Sequence, residues 1–140
     1  MAARIPPEME GFLAEPWNAI LCIPRGAERA PHATPVWFHY ADGRFQVSIT
    51  RMRVKYRLLL RAPEVALVID DPQRYRTVIV EGHAEVTDDD TSLLHLARAL
   101  GAKYGAAPAP TSDAALLAAL RAEERVVVTV LPERVLAWAG

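Results

Sequence analysis

PHATPVWFHYADGRFQVSI, Pro31 to Ile49, is the stretch on which the fold turns. Arg44 to Ile49 alternates polar and apolar residues, the period of a strand with one buried face. Asp42–Gly43 sits between two such runs, and both residues tolerate the positive φ of a tight hairpin turn. The sequence therefore predicts a hairpin of Pro31–Tyr40 against Arg44–Ile49. Working outward, Met9 to Glu15 is a short helix that Pro16 stops. WNAILCI, Trp17 to Ile23, reads as a buried strand, and PRGAER, Pro24 to Arg29, as a turn.

Downstream, Arg53 to Arg61 is a short helix ended by Pro63. Val65 to Asp70 is a strand, Asp71–Pro72–Gln73 a turn, and Tyr75 to Val86 a long strand. Gly82 inside that strand marks a bulge or a close backbone approach. Asp88 to Thr91 is an N-terminal helix signal, and the helix extends from Ser92 to Tyr104. Ala106 to Pro110 is a loop, and Ser112–Asp113 caps a second helix that ends at Ala122. Val126 to Leu131 and Val135 to Trp138 close the chain as two strands. There is no alternating βαβ pattern. The expectation is a mainly β, α+β domain over residues 1–140: a six-stranded antiparallel barrel with helices outside.

The segment QVSITRMRVKYRLLLRAP, Gln46 to Pro63, carries the chemistry. Arg44, Arg51, Arg53, Lys55, Arg57 and Arg61 lie between Asp42 and Glu64 with no acid among them. Arg51, Arg53 and Lys55 fall at the start of a helix, where the dipole disfavours cations. Two readings stay open: a solvated basic elbow, or an elbow holding an anion, phosphate foremost.

Composition narrows the classes. The net charge of −1 excludes a chain built throughout for polyanions. The single cysteine, Cys22, forbids an intrachain disulfide, fits a reducing cytoplasm, and reads as a small buried apolar residue. No stretch has the length of a signal peptide or a membrane span, so a soluble, unexported, cytoplasmic protein is expected. His32, His39, His83 and His95 are scattered without ligand spacing, so no metal site is expected. His32 and His39 would point to opposite faces of one strand. No nucleophile elbow and no carboxylate pair for acid–base work is present. A nucleic-acid site would want a longer aromatic platform. A phosphorylated redox cofactor fits better, because it would supply the chemistry the side chains lack. Pro35 to Phe38 and Gln46 to Ile49, facing each other in the hairpin, would flank its flat ring.

The ordered set P-V-W-F (Pro35–Phe38), D-G (Asp42–Gly43), S-I-T-x-x-R-x-K (Ser48–Lys55), L-x-R-x-P-x-V-A (Leu59–Ala66) and V-E-G-x-A-E-V (Val80–Val86) resembles the pyridoxamine 5′-phosphate oxidase-like flavin-binding split barrels. It is most similar to their small deazaflavin-dependent branch, which uses coenzyme F-420. The resemblance implies a six-stranded split barrel that forms a homodimer with cofactor sites between subunits. It implies phosphate binding by Lys55, Arg53 and Ser48, with Thr50 and Arg51 alongside. It places the ring near Pro35, Val36 and Trp37, and brings Tyr75 and Thr77 from the partner. It implies an oxidoreductase passing a hydride between coenzyme F-420, or FMN, and a small organic acceptor. A non-catalytic carrier of FMN, deazaflavin or a haem-related ligand is the alternative on the same barrel. The apolar faces of Trp37, Val78 or Val80 would be what a second subunit covers. Leu58 and Ala62 stand where many relatives carry asparagine and aspartate.

Overall fold

The computed structural model describes residues 3–106 and 112–140. The loop expected at Ala106–Pro110 therefore lies, from residue 107 onward, outside the described residues. A 3-10 turn at Pro7–Met9 leads into α1 (Glu10–Ala14). Then come β1 (Ala19–Ile23), β2 (His32–Val36), β3 (His39–Ala41), β4 (Arg44–Thr50) and α2 (Val54–Arg61). The rest of the chain forms β5 (Glu64–Asp71), β6 (Arg76–Thr87), α3 (Asp90–Tyr104), α4 (Asp113–Ala122) and β7 (Arg125–Ala139). The strands form one sheet in the order β2-β1-β5-β6-β7-β4-β3, antiparallel at every pairing. There are seven strands rather than the six expected, and the α+β split barrel stands.

The extra strand comes from a break in the expected hairpin. Asp42 and Gly43 do take positive φ, 53° and 75°, and Tyr40 pairs with Phe45 across the turn. The last pair is His39 with Gln46. β2 instead pairs with β1, Pro35 against Ile20, so Pro35–Phe38 does not face Gln46–Ile49 in one hairpin. The link Trp37–Phe38 thus joins the two ends of the strand order, and the sheet must curl until those ends meet. Side chains of α3 satisfy the backbone at this break. Phe38 N donates to the Tyr104 hydroxyl at 3.0 Å, and Lys103 Nζ donates to Phe38 O at 2.8 Å. The break also puts His32 and His39 on different strands, so their spacing of seven carries no facing rule.

The two closing strands expected from sequence are one strand, β7. Pro132 does not end it. The register shifts between Glu81 and Gly82, with Gly82 opposite Pro132 and Glu81 opposite Arg134. The bulge leaves Glu133 as the extra residue, directly after the proline that cannot donate to the ladder. A Cβ on Gly82 would lie 2.5 Å from Leu131 O, so no larger residue fits without moving backbone.

Phe38, Phe45, Leu21, Leu67, Val78 and Val80 fill the barrel. A second, smaller core lies outside it: Leu93, Leu96 and Leu100 of α3 pack on Val127 of β7, beside Leu117 and Leu120 of α4. Leu93, Leu96 and Leu100 follow helical spacing, and each buried leucine contributes roughly 1.5–3 kcal/mol. Asp89 and Ser112 cap these helices as read from sequence, accepting from Ser92 N at 3.0 Å and Ala115 N at 3.1 Å.

One corner is tied by charge. Arg76, at the start of β6, forks onto Glu15 after α1 (2.7 and 2.9 Å) and onto Asp71 at the end of β5 (2.6 and 3.1 Å). Its guanidinium lies 4.7 Å from the centroid of the Phe12 ring. Burial would raise the Asp71 carboxyl, but Arg76 and the backbone N–H groups of Arg74 and Gln73 hold it below the ordinary aspartate range. No helix among the described residues is long and apolar enough to cross a membrane.

Candidate functional site

The outer face of β4 carries Gln46, Ser48 and Thr50, since Phe45, Val47 and Ile49 point into the barrel. Above that face, next to the Trp37–Phe38 link, lies a groove of about 490 Å³. Its strand side is Pro35, Val36, Trp37, Ser48 and Arg125. Its helix side is Ala97, Leu100 and Gly101 of α3 with Leu120 of α4. Lys55 enters it from α2. The curl of the sheet thus reunites the two runs that the hairpin does not pair.

Lys55 is the second residue of α2, a helix with no acid in its first turn and no side-chain cap from Arg53. Its side chain is half-buried and makes no ion pair or hydrogen bond among the described residues. Burial, then Arg53 and Arg125, pull its pKa below the usual lysine range. Arg125 is partly neutralised by Glu123 at 2.9 Å. Trp37 is 46% exposed. It stacks on Tyr104 with ring centroids 4.5 Å apart and planes within 3°. The Tyr104 hydroxyl donates to Trp17 O at 2.7 Å, so the indole rests on a fixed neighbour.

The donor set suits a phosphorylated aromatic ligand. A cation without a counter-ion, a serine hydroxyl and an uncapped helix start lie at one end, and an apolar wall with an aromatic plane at the other. Two further observations agree. On β2, His32 Nδ1 and Thr34 Oγ1 are buried and have no hydrogen-bond partner among the described residues.

The structure brings together Lys55, Ser48, Pro35, Val36 and Trp37 of the residues expected from sequence. Arg53 stands exposed at the N-cap of α2. Arg51 leaves the groove to pair with Asp88. Thr50 ends β4 opposite Arg125. Tyr75 is exposed at the β5–β6 turn with φ 55°, and Thr77 is buried on β6, donating to Asp70 Oδ1 at 2.7 Å. Neither lines the groove of its own chain. Cys22 is half-buried on the outer face beside Ile20, not in the core, and burial keeps its thiol pKa up. His39 and His95 approach edge-to-face at 5.5 Å. No group of three metal-ligating side chains forms among the described residues.

Sequence reasoning missed Arg125, Tyr104, His32 and Thr34. It also missed Gly101, which does leave a trace: a glycine inside a helix costs about 1 kcal/mol against alanine. Here a Cβ would meet nothing within 4 Å, so the glycine leaves groove space rather than room for a neighbour.

Residues 5–139 match the family model described as pyridoxamine 5′-phosphate oxidase. The chain belongs to that family. Known structures share its fold across nearly the whole length. An F-420 reductase is 24% identical with a TM-score of 0.73, over 94% of this chain and 98% of that one. A conserved hypothetical protein of Mycobacterium tuberculosis is 22% identical with a TM-score of 0.80, over 99% and 86%. The haem-storage protein HutZ of Vibrio cholerae is 16% identical with a TM-score of 0.68, over 98% and 95%. At these identities the likeness is one of fold, and a reductase and a storage protein share that fold. No curated protein matches the chain.

Proposed function

We propose that this protein is an oxidoreductase that holds a phosphorylated flavin-type cofactor in the groove. It would pass a hydride between reduced coenzyme F-420, or FMN, and a small organic acceptor. The observation that carries this reading is Lys55: half-buried, flanked by Arg53 and Arg125, and without a carboxylate of its own. A phosphoryl group supplies the missing charge. Lys55, Ser48 and Arg53 would hold that phosphate, with Arg125 beside them. Pro35, Val36 and Trp37 would meet the ring. The cofactor, when bound, supplies the hydride chemistry. The chain orients it and keeps water away with Ala97, Leu100 and Leu120. Glu123, the one carboxylate among the described residues lining the groove, is engaged by Arg125 and is not placed as a proton donor.

The reading includes a homodimer, though through residues other than those expected. Val78 and Val80 are wholly buried inside the barrel. The outward row is Ile20, Val68, Ile79 and Leu136, which are direct neighbours across β1, β5, β6 and β7. Leu136 and Trp138 are about half exposed. An apolar row crossing four strands is the kind of face a second copy covers, with the same patch on both subunits. Tyr75 and Thr77 border this row, which is where the resemblance would have them reach a partner's cofactor. Light scattering at micromolar concentration should give twice 15.4 kDa; a stable 15.4 kDa species would remove the dimer.

Parallel titrations with FMN and coenzyme F-420 test the core of the proposal. At least one should bind, and reduced cofactor should then be oxidised by a small acceptor. Failure of both to bind overturns it. Tight binding without turnover of any acceptor favours the carrier.

A further inference from the structure

We propose that Asp88, in the loop between β6 and α3, is a positioning residue that sets the width of the groove. Its one carboxylate holds both the basic elbow and α4, and so fixes the phosphate side of the groove against the apolar side. The inference rests on the cofactor reading above and gives that ligand's pocket a strut outside its own lining.

Arg51 and Arg121 come from the two sides that the strut joins. Arg51 follows β4, between Ser48 and Lys55, and Arg121 follows Leu120 on α4; Ser48, Lys55 and Leu120 all line the groove. Asp88 Oδ2 accepts from Arg51 Nη2 and lies 3.9 Å from Arg121 Nη1. Arg121 Nη2 donates in turn to Asp90 Oδ1 at 2.6 Å. The backbone repeats the link, because Arg51 N donates to Glu124 O, just past α4, at 3.1 Å. The cap of α3 does not account for Asp88. Asp89 supplies that cap by itself, accepting from Ser92 N at 3.0 Å and from Ser92 Oγ at 2.8 Å. Nor does stability account for it. The Arg51 and Asp88 side chains are 35% and 51% exposed, and ion pairs so open to water contribute little to folding. What the arrangement does fix is the separation of the two sides. A ligand that touches both gains from having them preset, whereas a ligand that touches one does not.

That difference is the test. FMN and F-420 would span the groove from phosphate to ring, while riboflavin and inorganic phosphate each reach one side only. Asp88→Asn should weaken FMN or F-420 binding about fivefold, a loss of orientation rather than of a contact. Riboflavin and inorganic phosphate should bind as they do to the wild type. Asp88→Glu keeps the charge and should recover most of the loss. Arg121→Gln should cost a similar factor, and the double variant with Asp88→Asn no more than the larger single, since both break one network. The Tm of the ligand-free protein should move by no more than about 2 °C.

Unchanged affinity for FMN and F-420 in Asp88→Asn would overturn the strut. So would an equal loss for riboflavin with a lowered Tm, which would show that Asp88 serves the fold. So would a gain for FMN, which would show that Asp88 only withholds Arg51 from the phosphate. Each of these leaves the cofactor reading intact. If neither cofactor binds the wild type, that reading fails and the strut is judged without ligand. Spin labels at Arg57→Cys of α2 and Ala118→Cys of α4, in a Cys22→Ser background, report the separation of the two sides. A distance distribution that broadens with Asp88→Asn sustains the strut, and one that stays the same removes it.

Discussion

Arg76 and Lys55 are both cations drawn partly out of water, and the protein surrounds them in opposite ways. Arg76 has two carboxylates, four hydrogen bonds and an aromatic face. Lys55 has two neighbouring arginines and no acid. The first arrangement closes on itself and ties α1 to the β5–β6 turn. The second is complete only when something negative arrives. Lys103 stands between them. Two backbone carbonyls, Leu13 O and Phe38 O, and the Phe38 ring hold its ammonium, again with no carboxylate. The contrast separates cations that serve the fold from one that serves a ligand, and it can be attacked at each residue.

The largest effect is expected at Arg76. Arg76→Met leaves Asp71 buried beside an apolar side chain, and removal of one partner from such a pair is strongly destabilising. The Tm should fall by about 10 °C or more, while whatever folded protein remains should bind cofactor as the wild type does. If cofactor affinity fell and the Tm did not, the two regions would have been assigned the wrong way round.

Lys55→Ala should do the reverse. It should weaken FMN or F-420 binding by roughly 10- to 150-fold, the range for a hydrogen bond to a charged group. Calorimetry should show a Tm unchanged or raised, because an uncompensated cation has left a half-buried place. A marked loss of Tm would mean that Lys55 has a structural partner after all.

The smallest effect is the pH dependence at Lys103. Burial brings its pKa down to about 8. In the unfolded chain it stays charged to about 10.4. Below pH 8 both states are protonated and the burial penalty is felt in full. As pH rises above 8 the folded state gives up its proton first, so folding releases a proton and stability gains. Denaturant melts at pH 7 and pH 10 should therefore show the wild type gaining relative to Lys103→Met. An equal response in both proteins would mean that the carbonyls and the Phe38 ring hold the ammonium charged throughout.

What was legible in the sequence is what near neighbours decide. The Asp42–Gly43 turn, the Asp89 and Ser112 caps and the Gly82 bulge each depend on a few adjacent residues, and each is in place. The basic elbow was legible for the same reason, since cations at a helix start are conspicuous without any tertiary knowledge. The break at Trp37–Phe38 was not, because its cause is Lys103 and Tyr104, far along the chain. Alternation along β6 marks two faces but not which one turns inward, and so the sequence alone assigns Val78 and Val80 to the outer row that Ile79 occupies. His32 and Thr34 look like ordinary strand residues until their surroundings are known.

β7 carries one more consequence. It lies between β4 and β6 in the sheet, pairing Val127 with Ser48 on one side and with Thr87 on the other. A pairing so remote in sequence must close a long loop before it gains contact energy, which places this chain among the slower folders. During synthesis β4 and β6 must wait with bare edges until the ribosome releases their shared neighbour. Those edges are where a nascent chain would seek the wrong strand, so yield in the cell should depend on how quickly β7 arrives.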